Sequence, residues 1–142
     1  MTKLIFLDFD GVLHPNFSSG SEYFSHAGYL RDALDGFAEG VEIVISSSWR
    51  FHWSTTAILQ RLPKPLASMV TGITPIGEPG RHQRYREIQA YLSSRMGQYD
   101  WRALDDAVNE FPKDCAELIE CDGRIGLDDL SAARLRVWLK AR

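Results

Sequence analysis

Apolar and polar positions fall into blocks whose period switches along the chain. Residues 3–7 carry the compact run Leu4-Ile5-Phe6-Leu7, closed by Asp8, which is the pattern of a short buried strand. Residues 14–28 contain Pro15, Gly20, Gly28 and four serines, and read as an irregular excursion. Leu30, Ala33, Leu34, Phe37 and Ala38 then recur at helical spacing, with Gly40 placed to stop the helix. A second apolar run at 41–45 ends in Ser46-Ser47-Ser48, and a helix is expected from about Ser54 to Leu62, before Pro63 and Pro65. Residues 67–71 predict a short third strand, and Pro75, Gly77, Pro79 and Gly80 a loop. Ile88, Tyr91, Leu92 and Met96 predict a helix over 84–96. Strands are expected at 101–104 and 116–119, and a last helix at 128–140.

This alternation predicts βαβ units: an α/β, three-layer, Rossmann-like fold with a mostly parallel five-stranded sheet and helices on both faces. With 142 residues the chain is read as one domain, 1–142. No apolar run approaches the roughly 20 residues that span a bilayer, and no secretory leader is visible. A cytoplasmic location without membrane partners is therefore expected. A net charge of −3 argues against a broadly basic nucleic-acid coat protein but leaves room for a local basic site. Cys115 and Cys121 have no partners at zinc-ligand spacing and read as idle thiols. Arg134, Arg136, Lys140 and Arg142 read as a solvated cluster that complements the end of the last helix.

The candidate chemistry lies where strands end. In open parallel sheets, ligands bind beyond the carboxyl ends of the strands at a switch in strand order, and three of the expected strands end in Asp8, Ser46 and Asp105. Asp8 and Asp10, two residues apart, can converge on one site. Anions held that close cost free energy unless a cation neutralises them. With Asp105 and Asp106 added, an all-oxygen set without His or Cys favours Mg2+ over zinc or copper.

The motifs Asp8-Phe9-Asp10-Gly11-Val12-Leu13, a strand followed by Ser46, Arg84 or Arg81 before a helix carrying Glu87-Ile88, and Leu104-Asp105-Asp106 stand in an order that resembles the haloacid-dehalogenase-like (HAD) superfamily. The resemblance runs from residue 3 to about residue 130. Ile45-Ser46-Ser47-Ser48-Trp49-Arg50 and Gly126-Leu127 look like a compact subgroup found in RNA-repair proteins.

The resemblance implies a phosphatase in which Asp8 is the nucleophile and Asp10 the general acid and base. It implies that Ser46, with Ser47 as the alternative, and Arg84, with Arg81 and Arg86 as competitors, bind phosphate. Asp8, the Asp10 carbonyl and one or both of Asp105 and Asp106 would hold Mg2+. The steps of 36 positions from Asp10 to Ser46 and of 38 from Ser46 to Arg84 leave no room for a full cap domain. An open site suits a bulky phosphorylated substrate such as a nucleic-acid end, with residues 14–28 as a small flap whose His14, Phe17, Tyr23 and Phe24 touch it. Trp49-Arg50-Phe51-His52-Trp53 is either a base-stacking strip or a Trp packed in the core beside one half-exposed. The alternative function is a non-enzymatic phosphate-end or protein-binding module on the same fold.

Overall fold

The computed structural model describes residues 1–141, so Arg142 and its place in the terminal basic cluster lie outside the described residues. Five strands, β1 (Thr2–Leu7), β2 (Val41–Ile45), β3 (Val70–Ile73), β4 (Tyr99–Asp105) and β5 (Leu118–Glu120), form a parallel sheet in the order β3-β2-β1-β4-β5. The chain winds outward from β1 through β2 to β3, then returns to the other side of β1 for β4 and β5. The switch point therefore lies between β1 and β4.

The continuous apolar run of β1 is explained by burial on both faces. Ile5 and Leu7 join one core with Leu30 and Ala33 of α1 (Ala27–Leu34), Ile58 of α2 (Thr55–Arg61), Leu66 of α3 (Lys64–Ala67) and Leu135 of α5 (Asp129–Lys140). Leu4 and Phe6 face the opposite core, with Ile88 of α4 (Gln83–Ser94) and Phe111. Phe6 is fully buried and meets Tyr91 and Trp101 edge-on, with centroids 5.7 and 5.6 Å away. Each such side chain stabilises the fold by about 1.5–3 kcal/mol.

Register does the positioning. Leu7 lies opposite Ile45 of β2 and Leu104 of β4. The residues that follow, Asp8, Ser46 and Asp105, therefore emerge side by side at the carboxyl edge. The Asp8 N–H donates to the Leu104 carbonyl (3.1 Å) and the Ser46 N–H to the Leu7 carbonyl (2.9 Å), carrying the ladder one residue into the site.

The elements depart from expectation where local chemistry intervenes. α1 ends at Leu34 rather than near Ala38, because Gly36 turns the chain in the left-handed region (φ 85°); Phe37 still packs on the core. The prolines expected only to stop α2 also start α3, with Pro65 in its first turn, where a missing N–H costs nothing. That helix takes up residues 64–67, so β3 begins at Val70 rather than at residue 67. β4 begins two residues earlier than expected and β5 two later. Asp128 caps α5, its carboxylate accepting the Ser131 N–H (3.0 Å). Cys115 and Cys121 are both free, and burial pushes the Cys121 thiol up to about 12. Among the described residues, no helix is long and apolar enough to cross a membrane.

Candidate active site

Asp8, Asp105 and Asp106 converge just beyond β1 and β4, each offering a carboxylate oxygen within 4.8 Å of the others. Asp8 Oδ1 accepts the Phe9 N–H (2.9 Å), and Asp105 Oδ1 accepts that of Ala107 (2.9 Å). Asp106 Oδ2 accepts from Asn16 Nδ2 (2.8 Å), whose own N–H donates to the Gly123 carbonyl (2.7 Å). Two glycines make this approach possible. A Cβ on Gly11, already at φ 79°, would sit 2.5 Å from Asp106 Cγ, and one on Gly123 would sit 2.4 Å from Asp106 Oδ2.

Among the described residues, one cation faces the three acids. Arg84, in the first turn of α4, donates from Nη1 to Asp105 Oδ2 (2.8 Å) and lies 3.4 Å from Asp8 Oδ1. Burial raises the Asp8 carboxyl well above the usual carboxylate range; Asp105 adds repulsion, and Arg84 only partly offsets it. Burial likewise raises Asp105 against the pull of Arg84. Burial alone would lower the Arg84 guanidinium, but Asp105 and Asp8 outweigh it and hold the charge. Three buried or half-buried carboxylates against one guanidinium leave excess negative charge in a low-dielectric crevice. The donors are all hard oxygens, so the residues present fit a Mg2+ ion.

That imbalance has a consequence for stability. The folded protein binds the Asp8 proton more tightly than the unfolded chain does. Its contribution to stability therefore falls as pH rises from the ordinary carboxylate value near 4 through the raised one. In metal-free protein, the Tm advantage of Asp8→Asn over the wild type is expected to widen as pH rises toward neutrality and to shrink when Mg2+ is added. A difference that ignores both pH and Mg2+ contradicts this account.

The two serines after β2 separate cleanly. Ser47 Oγ accepts the Trp49 N–H (3.2 Å) and caps a short 3-10 turn. Ser46 is 1% exposed, and its hydroxyl has no hydrogen-bond partner among the described residues. A buried unpaired hydroxyl is costly unless something binds there. The arginines separate too. Arg86 donates to the backbone carbonyls of Arg81 and Glu78 (both 2.8 Å) and ties down the loop before α4. Arg81 is exposed and lines a groove with His82 and Lys113. Of these three arginines, Arg84 is the one that faces the acids.

Asp10 turns its carboxylate elsewhere. It is not one of the three converging acids; its Oδ1 accepts from His14 Nε2 (2.7 Å) and Trp49 Nε1 (3.1 Å). The His14 hydrogen bond, followed by that of Trp49, holds this carboxyl below its usual value against the opposing effect of burial. A metal-ligand role for Asp10 thus falls to its backbone carbonyl.

Arg50 and Glu87 form a buried pair at 2.6 Å, each side chain 3% exposed. Arg50 also donates to the Ser47 carbonyl (2.8 Å), and Glu87 Oε2 accepts from Gly77 N (2.9 Å) and Gln83 Nε2 (3.2 Å). The pair joins the loop carrying Ser46 to the helix carrying Arg84.

These contacts decide between the two readings of the strip 49–53 and correct one expectation about the segment 14–28. In the strip 49–53, Trp49 is buried and Arg50 is locked to Glu87, so neither is offered to a nucleic acid; Phe51 and Trp53 remain exposed, Trp53 under the Arg61 guanidinium at 4.0 Å. In the segment 14–28, His14 is buried and cannot touch substrate. The segment is pinned by Asn16 to Gly123, by His26 N to the Leu13 carbonyl (2.8 Å) and by His26 Nδ1 to Leu127 O (2.6 Å). Sequence reasoning missed Asn16 and Arg50 as supports and read His14 as a substrate contact, whereas the core packing of Trp49 was one of the two readings of its strip. The one local signal was the proximity of each to a motif residue.

Strand order and the acidic edge at its switch point define a compact HAD-like α/β domain. The resemblance seen in the motifs carries through the whole fold. The chain belongs to the family described as the HAD domain in Swiss Army Knife RNA repair proteins, which matches residues 4–132. Membership points to a phosphatase-type hydrolase. No curated protein and no solved structure matches the chain.

Proposed function

We propose that the protein is a Mg2+-dependent phosphomonoester hydrolase acting through an aspartyl-phosphate on Asp8. The observation that carries this reading is the unpartnered Ser46 hydroxyl, level in the sheet with Asp8 and Asp105 at the carboxyl edge where Arg84 meets both acids. A phosphoryl group at that edge would accept from Ser46 and from Arg84, which replaces nothing and completes an otherwise orphaned donor. Asp8 Oδ1 is engaged by Phe9 N–H and Arg84, which leaves Oδ2 to attack phosphorus.

As the Oδ2–P bond forms and the P–O ester bond breaks, Asp10 gives its proton to the leaving oxygen. Asp10 then takes a proton from water as that water's oxygen attacks phosphorus. The Oδ2–P bond breaks, inorganic phosphate leaves and the Asp8 carboxylate is restored. Asp8, Asp105, Asp106 and the Asp10 carbonyl would hold the Mg2+, whose charge would screen the repulsion between the attacking carboxylate and the phosphate.

The substrate we propose is bulky and phosphorylated, with a nucleic-acid end foremost. The family's RNA-repair description supports this. The protein is proposed to work in the cytoplasm.

Purified protein is expected to hydrolyse p-nitrophenyl phosphate with Mg2+ and not with EDTA. In a panel of nucleotides, sugar phosphates, phosphopeptides and phosphorylated oligonucleotide ends, the oligonucleotide ends are expected to be preferred. Ser46→Ala should cost about 10²-fold in kcat/KM, by loss of one donor to the phosphoryl group. Ser47→Ala should cost only about 1 kcal/mol of stability, by loss of the cap. No turnover of any phosphoester, or equal losses at the two serines, would reject the assignment.

A further inference from the structure

The described site leaves one arrangement unused: the pair of donors on Asp10. His14 is 1% exposed and is packed among Tyr23, Phe24 and Trp49, with ring centroids 5.0, 5.7 and 5.8 Å away. Its Nδ1 accepts the backbone N–H of Phe24 (3.2 Å). A nitrogen that accepts from an N–H carries a lone pair, so the ring proton sits on Nε2, and Nε2–H donates to Asp10 Oδ1. The indole Nε1–H of Trp49 is a donor only, and it points at the same oxygen. Oδ1 thus receives two hydrogen bonds from rings that cannot reorient. Among the described residues nothing bonds Oδ2, and the Asp10 side chain is 45% exposed.

We infer that His14 and Trp49 are positioning residues that reserve one oxygen of Asp10 as an acceptor and thereby place its transferable proton on the other, facing the leaving group. The inference rests on the hydrolase reading above, in which Asp10 is the proton donor. Both ring donors saturate Oδ1, so a proton on the carboxyl must sit on Oδ2. The same two bonds stop the carboxyl from swinging about its side-chain torsions, so the proton is presented in one direction instead of being averaged over several. Tyr23 and Phe24 hold the histidine in turn. On this account the aromatic cluster over the first motif exists to aim a proton, not to contact substrate.

The test is the dependence on leaving group, which a merely structural role would not move. An alkyl phosphate expels a poor leaving group that needs the proton; 2,4-dinitrophenyl phosphate expels a stable phenolate that does not. kcat/KM reports the steps through the first P–O cleavage, so it isolates this proton transfer. His14→Phe fills the ring's volume without the donor. It is expected to lower kcat/KM by about 10²-fold for an alkyl phosphate and by less than about threefold for 2,4-dinitrophenyl phosphate, in line with general-acid contributions of about 10²–10⁴. His14→Gln, which restores an N–H donor, is expected to recover a substantial part of the alkyl-ester rate. Trp49→Phe should show the same selectivity at smaller amplitude, and it serves as the second probe should His14→Phe not fold. Equal losses on both esters, or no loss on either, overturn the inference while leaving the hydrolase reading intact. Absence of turnover by the wild type on both esters overturns that reading, and this inference with it.

Discussion

Asp8→Asn is expected to lower kcat/KM for any phosphoester by roughly 10⁴-fold or more, the scale on which removal of a covalent nucleophile acts. The change is close to isosteric. The Asn Oδ1 still accepts the Phe9 N–H, so the tight turn at the end of β1 survives. What disappears is the oxygen nucleophile and one buried negative charge. Because burial and the neighbouring Asp105 make that charge unfavourable, the variant should fold at least as stably as the wild type in the absence of metal. The pairing of lost turnover with retained or raised Tm is the informative result. Tm and steady-state kinetics on the same preparation check it. A variant that retains wild-type turnover would remove Asp8 from the mechanism, and one that unfolds would show that its carboxylate is structural.

The second large effect is expected at the Arg50–Glu87 pair. Breaking a buried ion pair from one side leaves an uncompensated charge and typically costs 3–5 kcal/mol. Arg50→Met strands Glu87, whose other oxygen is already engaged by Gly77 and Gln83. It also leaves the Ser47 carbonyl without its guanidinium donor. A loss of about 10 °C or more in Tm is expected for a domain this size. Replacing both residues with apolar side chains of similar volume, Arg50→Met with Glu87→Leu, should recover much of that loss. If the pair also aligns Ser46 with Arg84, the double variant will regain stability without regaining full activity. Thermal melts and kinetics of the two single variants and the double variant separate the two contributions. Additive stability losses would show that the groups are not coupled.

Much of the architecture was legible from period and breakers alone. Leu4 to Leu7 announced a strand buried on both faces, because a parallel central strand has no polar side to show. The helix carrying Ile88 and the capped helix after Asp128 were placed to within two residues, since amphipathic spacing and cap chemistry are local. The misplaced ends have local causes that compete: Gly36 ended α1 before Gly40 had the chance, and Pro65 served a helix start instead of a stop. Asp8, Ser46, Arg84, Asp105 and Asp106 were all nominated from motif and position, and all five reach the carboxyl edge of the sheet.

The choices among neighbours were not legible. Ser46 and Ser47 are chemically identical in the chain; only the 3-10 turn after them consumes one hydroxyl and orphans the other. Arg81, Arg84 and Arg86 stand within six positions of one another, yet Arg81 stays exposed in the loop before α4, Arg84 meets Asp105 and Asp8, and Arg86 turns back to the carbonyls of that loop. His14 and Trp49 lie 35 positions apart and meet on one oxygen of Asp10. By itself, then, the sequence determined which strands are buried and which residue types stand at their ends, because hydrophobic period and turn chemistry act over a few residues. Only the tertiary structure decided which hydroxyl is left free, which guanidinium faces the acids and which rings hold Asp10. Those outcomes depend on strand register and on contacts between segments far apart in the chain.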